Sequence, residues 1–211
     1  MTNWVTISAL ASAGSTLVLA GATFSSVRSA SRSAAAAERL VQAGLRPVLT
    51  PSRTEDGSQK VMWADGQKVL LPGGSGYAEV VGDALYLAMS LRNVNTGIGV
   101  LQGWEPAPQR RLSSDPHADP YQFRPQTRDL YVPAGEIGFW HAAIRDPQDP
   151  ALADLRAATE KRQAIGIDLL YTDHEGGQRT ISRFAMHPKD ADDFWFLTVS
   201  RHWNLDRPDP R

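Results

Sequence analysis

The sequence contains no cysteine. That excludes a disulfide framework, thiolate zinc sites, iron–sulfur clusters and cysteine nucleophiles, and it suits a reducing compartment. Net charge is nearly absent as well: 22 Lys and Arg against 23 Asp and Glu leave a formal −1. A nucleic-acid binder would show a strongly basic face, so no nucleic-acid partner is expected. Signatures of chemistry are equally scarce. His117, His141, His174, His187 and His202 show neither HExxH nor i,i+4 pairing, and no serine stands in a Gly-x-Ser-x-Gly elbow. The stretch "PGGSG" at 72–76 lacks the Gly-Lys-Ser/Thr ending of a phosphate loop. It also precedes a strand pattern where such a loop requires a helix. No cofactor is expected.

A local absence is more informative. Residues 4–27, "WVTISALASAGSTLVLAGATFSSV", carry no charge, and about 20 residues of helix cross a hydrocarbon core. Serine, threonine, alanine and glycine dilute the run. Its apolar residues contribute only about −0.3 to −0.6 kcal/mol each to insertion. A signal peptide should begin with Lys or Arg, whereas Met1, Thr2 and Asn3 carry no basic side chain. Residues 1–27 therefore predict a single membrane-spanning helix, with a helix used for self-association as the other reading. Arg28, Arg32 and Arg39 all come after the span and none precedes it. The positive-inside rule then puts the remainder on the cytoplasmic side of the cell membrane. Trp4 is placed for the headgroup belt. Ser8, Ser12, Thr16 and Ala20 draw a small-residue stripe suited to helix pairing. Alanine-rich sequence prolongs the helix as a stalk over 28–44, ended by Gly44 and Pro47. The expected partners are the membrane, through this helix, and an unidentified protein or a second copy of the chain.

From residue 45 onward the chain reads as ordinary globular material. The whole is 42% hydrophobic and 21% charged, so disorder is not expected. Fourteen prolines and seventeen glycines between short apolar runs predict many turns and many strands. Asp65-Gly66 marks a hairpin. In "YAEVVGDALYLAMSLRN", Leu85, Leu87, Met89 and Leu91 alternate with Tyr86, Ala88, Ser90 and Arg92. Residues 105–128 are polar and proline-rich and predict a surface loop. Asp149 and Pro150 start a short helix with Leu152 and Leu155 inward. In the last run Trp195, Leu197, Val199, Arg201 and Trp203 are expected to share a face. Seven to nine strands predict that residues 45–211 form a mainly β, antiparallel β-sandwich of immunoglobulin-like architecture, with one short inserted helix, one face of each sheet buried and the other wet. The five tryptophans beyond Trp4 are expected to pack its core.

The stretches "LYLAMSLRNVNTGIGVLQGW", "DLLYTDHEGGQRTISRFAM" and "SRHWNLDRPDPR" resemble a group of actinobacterial proteins with a hydrophobic N-terminal helix and a β-rich body. The resemblance runs from about Ala37 to the C-terminus and implies an architecture without an activity. Asn95 stands where that group's pattern has glycine, which predicts a position with φ > 0.

One stretch does look chemical: "YTDHEGGQRTISRF" at 171–184. Asp173, His174 and Glu175 are metal-ligand types, but neighbours on an extended chain point to opposite faces, and a metal needs at least three converging ligands. The alternating runs on either side favour a hairpin tip, with Asp173 accepting backbone bonds and Gly176 and Gly177 supplying left-handed dihedrals. Arg179 and Arg183, at even spacing on one face, could bind an acidic group or pair with cross-strand carboxylates. The sequence therefore predicts a membrane-anchored β-sandwich that acts as a binding or assembly module without catalysis. A metal-dependent hydrolase using Asp173, His174 and Glu175 is the alternative.

Overall fold

The computed structural model describes residues 3–107, 115–189 and 193–206, and the chain divides into two compact units at Gly44/Leu45. The first unit is one helix, α1 (Trp4–Leu45), of 42 residues, about 60 Å at ~1.5 Å per residue. Residues 19–41 are exposed along it, Leu19, Phe24 and Leu40 each by 70% or more. Two hydroxyls satisfy themselves on the helix backbone: Thr23 Oγ1 donates to Leu19 O at 2.8 Å and Ser25 Oγ to Ala22 O at 2.9 Å. Among the described residues no helix is long and apolar enough to cross a membrane. The expected span has the length, while its serines, threonines and glycines hold its hydropathy down.

The second unit carries β1 (Leu49–Pro51), β2 (Gln59–Met62), β3 (Lys68–Leu71), β4 (Ser75–Val81), β5 (Ala84–Asn93), β6 (Gly99–Ala107), β7 (Arg124–Val132), β8 (Ile137–Ile144), α2 (Leu152–Glu160), β9 (Ile165–Thr172), β10 (Thr180–Pro188) and β11 (Trp195–Asn204). Nine strands form one antiparallel sheet in the order β8-β5-β4-β11-β10-β9-β6-β7, with β1 beside the end of β5. Its end strands, β7 and β8, are consecutive in the chain, so the ribbon curls back on itself around the core. The fold is thus mainly β and antiparallel, with one short inserted helix and a long leading helix, as the alternation predicts. The ribbon's two halves face each other across the core, an arrangement compatible with a sandwich.

Alternation decides what enters that core. Leu85, Leu87, Met89 and Leu91 of β5 share one core with Ile165, Ile167, Leu169 and Tyr171 of β9 and with Phe184, Met186, Trp140 and Trp195. Each such side chain is worth about 1.5–3 kcal/mol on burial. The opposite faces are not wet, however. Tyr86 and Ala88 are covered by the separate β2–β3 hairpin through Val61, Trp63 and Leu71. Asp65 in that hairpin's turn accepts from Tyr86 Oη at 2.6 Å and Arg145 Nε at 2.8 Å. The Tyr86 bond, then Arg145, holds its carboxyl down to about 2. The outer face of β9–β11 is likewise covered, by Phe123 packed with Leu170, Ile181 and Trp203.

Three local expectations change. The ladder between β10 and β11 slips between Arg183 and Phe184, leaving Ser200 as an extra residue. Trp195 and Leu197 therefore join the main core while Trp203 turns to the outer cluster, because a bulge flips every side chain beyond it. The expected 105–128 loop is strand at both ends, since β6 runs to Ala107 and β7 begins at Arg124. Pro125 disguised this, but β7 ends the sheet, where a missing N–H is tolerated. Residues 108–114 lie outside the described residues. Lastly, Asn95 does not adopt φ > 0; among the described residues the only non-glycine that does is Arg162. The turn is closed by side chains instead: Asn95 N donates to Asn93 Oδ1 at 3.1 Å and Asn95 Nδ2 to Arg46 O at 2.7 Å.

"PGGSG" also has a structural account. Gly74 needs its φ of +69°, and a Cβ on Gly73 would lie 2.2 Å from Arg53 O and 2.6 Å from Asp56 O. Both obstacles are backbone and cannot rotate away. Gly73→Ala is expected to destabilise the body by about 2 kcal/mol through overpacking, read as a lower urea midpoint.

Candidate functional site

The Asp-His-Glu stretch joins β9 to β10 as a hairpin tip. Asp173 is buried; its carbonyl accepts from Gly176 N at 3.1 Å and its Oδ1 from Gly177 N at 2.9 Å. Gly176 is left-handed at φ +77°, whereas Gly177 has no positive φ and could be another residue. His174 and Glu175 are exposed, with Nε2 and Oε1 3.9 Å apart. The other histidines nearby in the sheet are engaged elsewhere, His187 with Thr198 Oγ1 at 3.1 Å and His202 with Ser182 Oγ at 2.6 Å. Among the described residues no group of three or more His, Asp or Glu could hold a metal ion.

The two arginines separate. Arg179 lies half-exposed before β10 and pairs with Asp206 at 2.8 Å. Arg183, only 2% exposed, makes a two-pronged bridge to Asp168, Nε to Oδ1 and Nη2 to Oδ2, both at 2.8 Å. Its Nη1 and Nη2 also donate to Asp115 O and Pro116 O, and its guanidinium lies 4.7 Å from the Trp203 ring centroid. Asp168 is its direct cross-strand partner. Arg183 thus fastens the covering segment to the outer face.

A different place has the properties of a binding site: the seam where the sheet's two end strands meet. β7 pairs with β6 at Gly99–Val132 to Leu101–Leu130 and again at Gly103–Pro125 and Trp104–Arg124. Two steps along β6 thus face five along β7, and the surplus around 126–129 arches off the ladder. At the turn end the seam is tight, since a Cβ on Gly138 would lie 2.8 Å from Val132. At the arched end no ladder joins β7 to β8 among the described residues, and Gln126 Nε2 donates across to His141 O at 3.2 Å. The opening is a cleft of about 240 Å³ lined by Trp104, Arg124, Pro125, Gln126, Thr127, His141, Ala142 and Ala143.

Three of those lining residues carry a buried polar atom with no partner: Arg124 Nε, Gln126 Oε1 and His141 Nδ1. Each such orphan costs about 1–3 kcal/mol in a folded protein. His141 is 6% exposed and its imidazole sits edge-on to Trp63 (5.5 Å) and Phe139 (5.7 Å). Burial, then the charges of Arg128 and Arg145, pushes it down to about 4, so at neutral pH the ring has one N–H and one lone pair. Trp63 Nε1 donates to Ala142 O at 2.9 Å and fixes this wall. Across the cleft, Arg124 is held by Asp149 through both terminal nitrogens, and its guanidinium lies 5.3 Å from the Trp104 ring centroid. The helix starts later than expected: its N-cap is Ala151, without a side-chain cap bond, so Pro150 lies before α2, and Asp149 instead accepts from Ala151 N at 2.9 Å ahead of the helix that buries Leu152 and Leu155.

None of Arg124, Gln126 or His141 stands out by motif. The available signal was His141 itself, a lone polar residue in the apolar strand "GFWHAAI". Gln126 was hidden in what reads as loop. No protein-family model, curated protein or solved structure matches the chain, so its function is read from the seam cleft.

Proposed function

We propose that the protein is a tethered binding module. The body takes a ligand in the seam cleft, and α1 tethers it to a membrane with the body on the cytoplasmic side. The observation that carries the binding half is the concave, mostly apolar opening of about 240 Å³ at the seam, with Arg124, Gln126 and His141 among its lining residues. The tether is supported by the uncharged run at 4–27, the arginines beyond it and the exposed apolar side chains of α1.

A site kept for binding is poorer in stability than it could be. His141→Phe removes an orphan and keeps an aromatic ring against Trp63 and Phe139, and is expected to raise stability at pH 7.5 by about 1 kcal/mol. A destabilised variant in urea denaturation would mean that the imidazole is kept for packing. For the tether, the full-length chain is expected in the membrane fraction and to leave it only with detergent. Recovery in the soluble fraction without detergent, or digestion of the body by protease outside intact cells, overturns that half. The hydrolase reading would return if the purified protein held a stoichiometric divalent ion that His174→Ala lost.

A further inference from the structure

We infer that α1 pairs with the α1 of a second copy of this chain, parallel and in register, as a two-stranded coil. Nothing in this depends on the seam cleft. Leu19, Phe24, Val27, Leu40 and Val41 are between 62% and 75% exposed, and large apolar side chains left together in water mark a contact surface. Leu40 lies about 20 Å of helix beyond Val27, where the uncharged run ends. Lipid that covers the run leaves that end bare.

A heptad organises this face. With Ala20, Val27, Ala34 and Val41 at a, the d positions are Thr23, Ala30 and Ala37. Leu19 and Leu40 then fall at g and Phe24 at e, flanking the seam, while Arg28, Arg32 and Arg39 fall at b and f on the back. Any other placement of the repeat on residues 19–41 brings an arginine, Glu38 or a serine into the seam. Thr23, the one hydroxyl in it, is already satisfied, its Oγ1 donating to Leu19 O at 2.8 Å. The repeat holds for about three heptads, the length at which it points to a coiled coil.

The flanks identify the partner as the same helix. In a parallel, in-register pair each g side chain meets the e of the following heptad on the other strand. Leu19 then meets Phe24, apolar on apolar; Ser26 meets Ser31; and Ser33 meets Glu38, a hydroxyl beside a carboxylate to which it can donate. Each pair matches in kind, and no like charges meet. The β-branched Val27 and Val41 at a favour two strands, and alanine at most other seam positions lets the helix axes close to about 8 Å. The parallel direction rests on the proposed tether, which brings both copies out of one membrane the same way.

The chain has no native cysteine, which makes disulfide mapping clean. In the full-length protein in detergent micelles, Val27→Cys, Ala34→Cys and Val41→Cys, all at a, should each oxidise to a covalent dimer, because facing Cα atoms come within the ~7 Å that a disulfide spans. Ser25→Cys, Arg32→Cys and Arg39→Cys, at f, should stay largely uncrosslinked. By sedimentation the parent should have twice the monomer mass. Ala37→Arg, at d, should bring it to monomer mass, whereas Ala36→Arg, one residue away at c, should leave it a dimer; a general folding defect would strike both. A monomeric parent in the membrane fraction would mean that lipid covers the face. Cross-linking at f as strong as at a would mean random collision, and cross-linking at only one of the three a positions an antiparallel pair. A dimer that survives Ala37→Arg forms elsewhere. Each of these overturns the inference and leaves the tether, whereas a dimer with the a-position pattern recovered without detergent upholds the pairing and overturns the tether.

Discussion

Arg183→Ala is expected to destabilise the body by about 3–5 kcal/mol, the loss typical of a buried ion pair that keeps one partner. For a unit of this size that lowers Tm by roughly 10 °C or more. The cause is Asp168, 3% exposed, which would be left with a buried charge. Asp115 O and Pro116 O would lose their donors at the same time, loosening the segment that covers Leu170, Ile181 and Trp203. The control is Arg179→Ala, four residues earlier. Its pair with Asp206 is exposed by 42% and 29%, and removal should cost about 1 kcal/mol or less. Replacing both buried partners, Asp168→Leu with Arg183→Met, should recover part of the loss but not all of it, because the two carbonyls stay unpaired. Equal urea midpoints for Arg183→Ala and Arg179→Ala would show that the inner bridge is solvated.

That contrast shows what could be read from the sequence. The two arginines look alike there, each polar, each at even spacing on the same apparent face. Only Arg183 falls opposite a carboxylate in register, and that register is fixed by the length of the hairpin tip between β9 and β10. The strands themselves were legible wherever period-two alternation ran unbroken, as from Leu85 to Leu91. Faces were less legible, because what covers the second face of a sheet comes from elsewhere in the chain. Tyr86 and Ala88 look solvent-facing until the β2–β3 hairpin folds over them. The bulge at Ser200 carries no glycine or proline to announce it, so simple alternation puts Trp203 on the wrong side.

The candidate site was least legible for a related reason. Hydrogen-bonded neighbours share a pattern, but β7 and β8 at the arched end share none; they are neighbours because a curled ribbon brings its two ends together. Arg124, Gln126 and His141 meet across that gap through topology. The hairpin tip at 173–177, by contrast, was legible as a tip because glycine and aspartate act locally, within five residues.

The second large effect is expected at His141 and has a defined sign. Its folded-state pKa is pushed down to about 4, whereas an unfolded histidine titrates near 6.5. Between those values the unfolded chain binds a proton that the folded chain refuses, so stability rises with pH there and is lost as the pH falls. The contribution is intact above about pH 6.5 and declines towards pH 4, by roughly 3 kcal/mol at most. The lowered carboxyl of Asp65 acts in a separate window: its contribution is present above the unfolded carboxylate value of about 4 and fades only as pH falls towards about 2. Urea midpoints of the parent and His141→Phe at intervals from pH 7.5 to 4.5 isolate the histidine, since every other group is common to both. The parent curve should fall with acid, and the difference between the two should widen below pH 6.5 in favour of the variant. Parallel curves would mean that the imidazole protonates freely in the folded state. Water would then reach His141 Nδ1, and the packing of the ring against Trp63 and Phe139 would be looser than its 6% exposure implies.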